Sequence, residues 1–156
     1  MKLPLFRQEH PHTCLPACIR IVLAYRGQQH SEAELAQACG TVPVWGTLPA
    51  EAVNGLESLG YRALWFENAN LERLVQLLDQ DWPVIVFLRA ADLPHGRAGL
   101  HAVVIAGLES GYVIFVDPAV GTEVHLSLNK FIYAWLALGN QGMVIWLPPI
   151  LAQQNE

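Results

Sequence analysis

Three uninterrupted apolar runs, at residues 84–88, 102–106 and 113–116, constrain this chain more than any other feature. Each is strand-length and reads as a buried strand. Hydrophobic residues make up 53% of the chain and charged residues only 15%, which raises the question of a membrane. No run approaches the ~20 apolar residues that a spanning helix needs. The opening Met1-Lys2-Leu3-Pro4-Leu5-Phe6 has neither a long apolar region nor a small-residue cleavage site, so it does not read as a secretory signal. The expectation is a cytoplasmic protein. A length of 156 residues suits one domain, taken as 1–152, followed by a polar tail at 153–156.

Helix signals come first along the chain. Residues 13–25 read as a helix with Thr13 as its cap, Pro16 in the first turn and Gly27 as its stop. Ser31 and Glu34 form a capping box that opens a second helix through Cys39. A third runs from 48 to 59, capped by Thr47 and ended by Gly60. The pattern then changes to a strand at 61–66, a helix at 71–80 capped by Asn70, a buried strand at 84–88 and a loop at 89–100. A hairpin of 101–108 with 111–117 follows, then a strand at 123–126, a helix at 128–138 capped by Ser127, and a last strand at 143–147. Helices before a sheet-rich half make an α+β order. The tryptophans, Trp45, Trp65, Trp82, Trp135 and Trp146, read as core or rim packing.

Charge and motifs exclude several functions. With a net charge of −5 and only nine Lys and Arg, scattered along the chain, there is no basic face for nucleic acid. No Gly-rich loop ends in Gly-Lys-Ser/Thr, so nothing suggests ATP use. The cysteines number three, without framework spacing, and read as free thiols of a reducing compartment. His10, His12, Cys14 and Cys18 offer nitrogen and sulfur ligands close together, but their spacing matches no common zinc pattern. No metal and no cofactor is expected.

The chemistry concentrates elsewhere. Cys14 stands at the N-terminus of the first helix, where the helix dipole favours an anion. Its structural alternative is plain packing, which is the expected role of Cys18 and Cys39. Among the six histidines, His101 heads the buried run 102–106 and is held at the end of a strand. A hairpin with 108–110 as its loop sets His101 directly across from Asp117, with Cβ atoms about 5 Å apart. Such a carboxylate orients an imidazole and fixes its tautomer. Asp117-Pro118 with Gly121 is also good turn chemistry in its own right. Gln8 can bring a side-chain amide to the helix start, beside the backbone N–H of Cys14, as an oxyanion donor.

The run from Gln8 to Cys14 and Ala17-Cys18, with His101-Ala102-Val103-Val104-Ile105-Ala106-Gly107 and Val116-Asp117-Pro118-Ala119-Val120-Gly121, resembles the double-glycine leader peptidases. These are the bacteriocin-processing branch of the papain-like cysteine peptidases. The resemblance implies a papain-like α+β fold with N-terminal helices packed on a mainly antiparallel sheet. It implies a nucleophile at Cys14, a base at His101, an orienter at Asp117 and an oxyanion donor at Gln8. The substrate would be a leader peptide cut after two glycines, and the partner an export transporter. The family commonly has Asp before the nucleophile and Gly after it, where this chain has Thr13 and Leu15. The chain reads as a free-standing relative or a domain excised from a transporter. Two other outcomes of the same residues are acyl transfer to another amine and a peptidase-like module that binds or docks a peptide without cutting it.

Overall fold

A computed structural model describes residues 1–148. The expected polar tail, 153–156, and the expected domain end at 152 lie outside the described residues. Helix α1, Cys14–Tyr25, closes on the left-handed Gly27, φ 82°, with Gly27 N–H bonded to Ala24 O and Gln28 N–H to Leu23 O. This is a paired terminal motif that only a residue tolerant of positive φ completes cheaply. Helix α2, Glu32–Ala38, is capped by Ser31 as expected, and α3, Pro49–Ser58, starts on its proline. The caps expected from Thr13 and Thr47 do not form. Thr13 is turned toward Glu32, and Leu48 takes the cap position of α3 while Thr47 bonds to Thr41.

Strand β1, Arg62–Phe66, leads to α4, Leu71–Asp79, which Asn70 caps. Then come β2, Val84–Arg89, β3, Leu100–Glu109, β4, Tyr112–Asp117, and β5, Thr122–Ser127. Helix α5, Leu128–Leu136, begins at Ser127 without a side-chain cap, and β6, Gly142–Trp146, ends the series. The strands form one antiparallel sheet in the order β1-β6-β2-β3-β4-β5. It is the α+β architecture expected, with α1 to α3 on one face.

The apolar runs are unbroken because both faces of the sheet are covered. Ile85, Phe87, Ala102 and Val104 pack with Ile19, Leu35 and Leu56 of the N-terminal helices. Their neighbours in sequence, Val84, Val86, Val103 and Ile105, pack with Leu74 of α4 and Phe131 and Trp135 of α5. Successive side chains of a strand point to opposite faces, so each residue has a core to enter. Among the described residues no helix is long and apolar enough to cross a membrane.

The hairpin register corrects one expectation. The β3–β4 turn has two residues, Ser110 and Gly111, both at positive φ (52° and 82°), with Glu109 paired to Tyr112. Positive φ at both central positions is the turn geometry that matches strand twist. His101 is therefore not directly opposite Asp117. Counting back from that turn alone would set Val104 across from Asp117 and send His101 to the opposite face. A bulge between Ile105 and Gly107 absorbs one residue, so Val104 pairs with Val116. Continuing that register by one brings Asp117 level with Val103, and His101 two residues along on the same face. One inserted residue restores the side-chain parity that the short turn would have lost.

Candidate active site

Diagonal neighbours on one face lie within reach of long side chains, and the two residues meet. His101 Nε2 is 2.6 Å from Asp117 Oδ1, with the side chains 7% and 1% exposed. Asp117 closes β4 and opens a turn: Gly121 N–H bonds to its carbonyl at 2.8 Å, and Ala119 N–H donates to Oδ1 at 2.9 Å. The carboxylate is thus aimed by its own turn as well as by His101. Gly121 has φ 71°, and a Cβ there would come within 2.8 Å of Arg7 Cβ. Glycine at this position lets the N-terminal segment lie against the turn. There Gln8 N–H bonds to Pro118 O at 2.8 Å.

From that anchor the chain reaches α1. Gln8 Nε2 donates to His10 O at 2.8 Å, and the same carbonyl accepts from Thr13 Oγ1 at 2.9 Å. One hydrogen of the Gln8 amide is therefore held at the helix entrance, and the second is not committed by that bond. Buried Glu32 ties the segment from behind, its Oε2 accepting from Glu9 N–H at 2.8 Å and Thr13 Oγ1 at 3.0 Å. Burial raises the Glu32 pKa, while the Glu9 and Thr13 bonds oppose the rise. Glu32 is a first-turn acid of α2, a position that carries no sequence signal of burial.

Cys14 is the first residue of α1 and is half-buried. The first amides of a helix have no acceptor within it, which leaves donors beside the thiol. Burial alone would lower the His101 imidazole pKa, but the hydrogen bonds and charges of Asp117 and Cys14 outweigh it and hold the ring at about 9. Because Nε2 is committed to Asp117, the nitrogen left for the thiol is Nδ1. Burial works against the Asp117 carboxylate too, yet the bond and charge of His101 and the Ala119 N–H keep its pKa below the ordinary carboxylate value. Burial pushes Cys18 far upward, helped by the negative groups around it, and Cys39 up to about 11. Both are buried in the N-terminal core, as expected of packing cysteines.

A cleft of about 420 Å³ opens at Cys14, with Leu15, Trp45, Leu48, Phe87 and Leu100 among its lining residues. A smaller one of about 180 Å³, lined by Gln8, His10 and Arg97, adjoins it, and the two share Pro11. Trp45 departs from the packing role expected of it, at 86% exposure. A closed turn carries it, with Val42 and Gly46 exchanging backbone bonds and Val44 at φ 71°. A β-branched residue at positive φ is a steric outlier, and here it sits on the wall of the cleft. Elsewhere, His10 and His12 stack on each other, His30 bonds to Tyr61 and lies 3.1 Å from the Glu34 carboxylate, and His125 bonds to Glu123.

One histidine that sequence reading passed over does enter the cluster. His95 Nε2 lies 3.3 Å from Asp117 Oδ2. Donor atoms of His95, His101 and Asp117 fall within 4.8 Å of one another, close enough to surround a metal. His95 does not suit one, because its Nδ1 accepts the Arg97 N–H at 3.2 Å. An imidazole that gives Nε2 to a metal must carry its proton on Nδ1, where it would face that N–H. A Gly-rich loop setting hid this residue from pattern analysis.

The model of the Peptidase_C39 like family matches residues 1–143. Among solved structures, the peptidase domain of Streptococcus ComA, a bi-functional ABC transporter of a quorum-sensing pathway, superposes with a TM-score of 0.76 at 21% identity, covering 93% of this chain and 98% of that one. A putative C39-like peptidase from Bacillus anthracis gives 0.75 at 17% identity, covering 95% and 99%. A double glycine motif protease from an AMS/PCAT transporter, solved in complex with its leader peptide, gives 0.74 at 20%, covering 94% and 93%. At these identities the structures establish the fold. No curated protein matches the chain.

Proposed function

Because the chain belongs to the Peptidase_C39 like family, we propose that it is a cysteine peptidase with Cys14 as nucleophile, His101 as general base and acid, Asp117 as orienter and Gln8 as oxyanion donor. The observation that carries this reading is the His101 ring, bound through Nε2 to Asp117, together with Cys14 at the start of α1 on the wall of a cleft. In the first step Cys14 Sγ attacks the scissile carbonyl carbon, and its proton resides on His101. The carbonyl oxygen becomes an oxyanion, stabilised by the Cys14 N–H and the uncommitted Gln8 amide hydrogen. The tetrahedral intermediate collapses as His101 passes its proton to the leaving amine, giving a thioester. Water then attacks with His101 taking its proton, and Cys14 leaves as the thiol.

The substrate is a peptide, and the family points to leader peptides cut after paired glycines, with an export transporter as partner and the cytoplasm as the place of action. Residues 1–152 act as one peptidase domain. Leu15 and the exposed turn at Trp45 give the cleft apolar walls, so an apolar side chain flanking the cut is accommodated.

Limiting iodoacetamide followed by mass mapping tests the reading. Cys14 is expected to alkylate first, with Cys18 and Cys39 silent, and His101→Ala is expected to remove the advantage. Alkylation of Cys14 no faster than an ordinary thiol sinks the mechanism. Equal cleavage of peptides with and without paired glycines discards the leader-peptide specificity and leaves the chemistry standing.

A further inference from the structure

The loop between β2 and β3 presents His95 to the far side of the Asp117 carboxylate. Its side chain is 11% exposed, and its ring stands edge-on to that of His101, with centroids 5.1 Å apart at 89°. Nδ1 accepts the Arg97 N–H at 3.2 Å. A ring nitrogen that accepts carries no proton, so the neutral imidazole has its hydrogen on Nε2. That nitrogen is shut off from solvent and has no aligned hydrogen bond; the acceptor within reach is Asp117 Oδ2, at 3.3 Å. The other carboxylate oxygen is already served, by His101 Nε2 at 2.6 Å and Ala119 N–H at 2.9 Å.

We infer that His95 is a positioning residue acting through Asp117: its Nε2–H holds the second carboxylate oxygen while its ring screens the His101–Asp117 pair from water. The inference rests on the reading of Cys14, His101 and Asp117 as the reacting set. Each oxygen of the carboxylate is then held from a different element, one by β3 and the turn after β4, the other by the loop. A bent approach of this kind is common before substrate arrives and tightens when it binds.

The charged surroundings are consistent with a neutral donor. Burial lowers the His95 pKa, His101 and Arg97 act in the same direction, and Asp117 opposes them. The other titratable group whose charge acts on this cluster is Cys14, and the charge of Asp117 in turn raises the buried Cys18. A neutral N–H supports the carboxylate without adding a second positive charge beside His101.

The test compares His95→Phe, which keeps a ring and loses the donor, with His95→Gln, which keeps a donor and loses the ring. A hydrogen bond to the ionised form of an acid lowers its pKa. Carboxyl NMR of Asp117 in a Cys14→Ala background is therefore expected to titrate about one pH unit higher with His95→Phe, and to return toward the parent value with His95→Gln. With Cys14 present, the iodoacetamide rate is expected to fall severalfold with His95→Phe and to recover with His95→Gln. An unmoved Asp117 titration, or a glutamine variant no better than phenylalanine, overturns the inference. The carboxyl titration needs no turnover, so a shifted titration in a protein that cuts no peptide would discard the peptidase reading and keep the positioning role.

Discussion

Two histidine–carboxylate pairs on the same sheet differ in almost everything except composition. His125 and Glu123 stand two residues apart on β5, 3.3 Å between nitrogen and oxygen, with side chains 56% and 47% exposed. His101 and Asp117 come from different strands, approach to 2.6 Å and are 7% and 1% exposed. The exposed pair forms by local chain geometry, and water screens it to a contribution near zero. The buried pair is assembled by a bulge, a turn and a packed helix, and its charges act in a medium that amplifies them. Only in the second does a thiol, Cys14, help raise the imidazole pKa. The difference between the two pairs is one of enclosure.

Substitutions that erase this difference have the largest effects. Cys14→Ala removes the covalent route and is expected to abolish peptide hydrolysis. His101→Ala is expected to cost about 10² to 10⁴ in kcat/KM, whereas His125→Ala leaves it unchanged; equal losses at the two histidines would break the comparison. Gln8→Ala is expected to lower kcat by roughly 10² to 10³ with little change in KM. A pure rise in KM would move Gln8 from the oxyanion to substrate binding.

Asp117→Ala comes next, with a loss smaller than that of His101→Ala because it loosens the base without deleting it. It also moves a limb of the pH profile. The ring holds its proton up to about pH 9, and the leaving amine needs that proton. Hydrolysis by the parent protein is expected to decline as pH rises through about 9, and Asp117→Ala moves that decline to lower pH. An unshifted limb would mean that the decline reports another group.

Stability provides a smaller effect. A histidine pKa raised from an unfolded value of about 6.5 contributes stability that is complete below that value. It is lost as pH rises through about 9. The lowered Asp117 pKa works in the opposite window, contributing stability above the ordinary carboxylate range that is lost as pH falls. Urea unfolding should show both losses in the parent protein and neither in a His101→Gln, Asp117→Asn double variant. The smallest effect belongs to the exposed pair: Glu123→Gln is expected to change unfolding free energy by no more than about 0.5 kcal/mol.

Much of this arrangement was legible along the chain. The apolar runs located β2, β3 and β4, and Ser31 and Asn70 cap α2 and α4 as their spacing required. Helix-end electrostatics singles out Cys14 as a candidate, and a place at the head of a buried run singles out His101. Thr13, Thr47 and Ser127 have the residue type of a cap but make no cap bond to their helix. For Thr13 and Thr47, a partner distant in sequence or a neighbouring loop offers the hydroxyl a better bond. The hairpin was expected to have a three-residue loop with His101 square across from Asp117. The chain instead uses a two-residue turn and a bulge, an exchange that pattern does not reveal because both routes put the same residues on the same face.

Glu32, His95 and Trp45 define what pattern could not reach. A carboxylate in a first helical turn, a histidine among glycines and a tryptophan between two predicted helices are each ordinary by type. Their roles arise from what lies opposite: the Glu9 and Thr13 donors, the Asp117 carboxylate, the mouth of the cleft. By itself the sequence determined the element types and the buried strands and singled out Cys14 and His101 as candidates, since these follow from periodicity, capping and the chemistry of single residues. Only the tertiary structure decided which carboxylate oxygen faces which imidazole and which acid is buried, because those outcomes depend on strand register and on burial, and both are set by residues far apart in the chain.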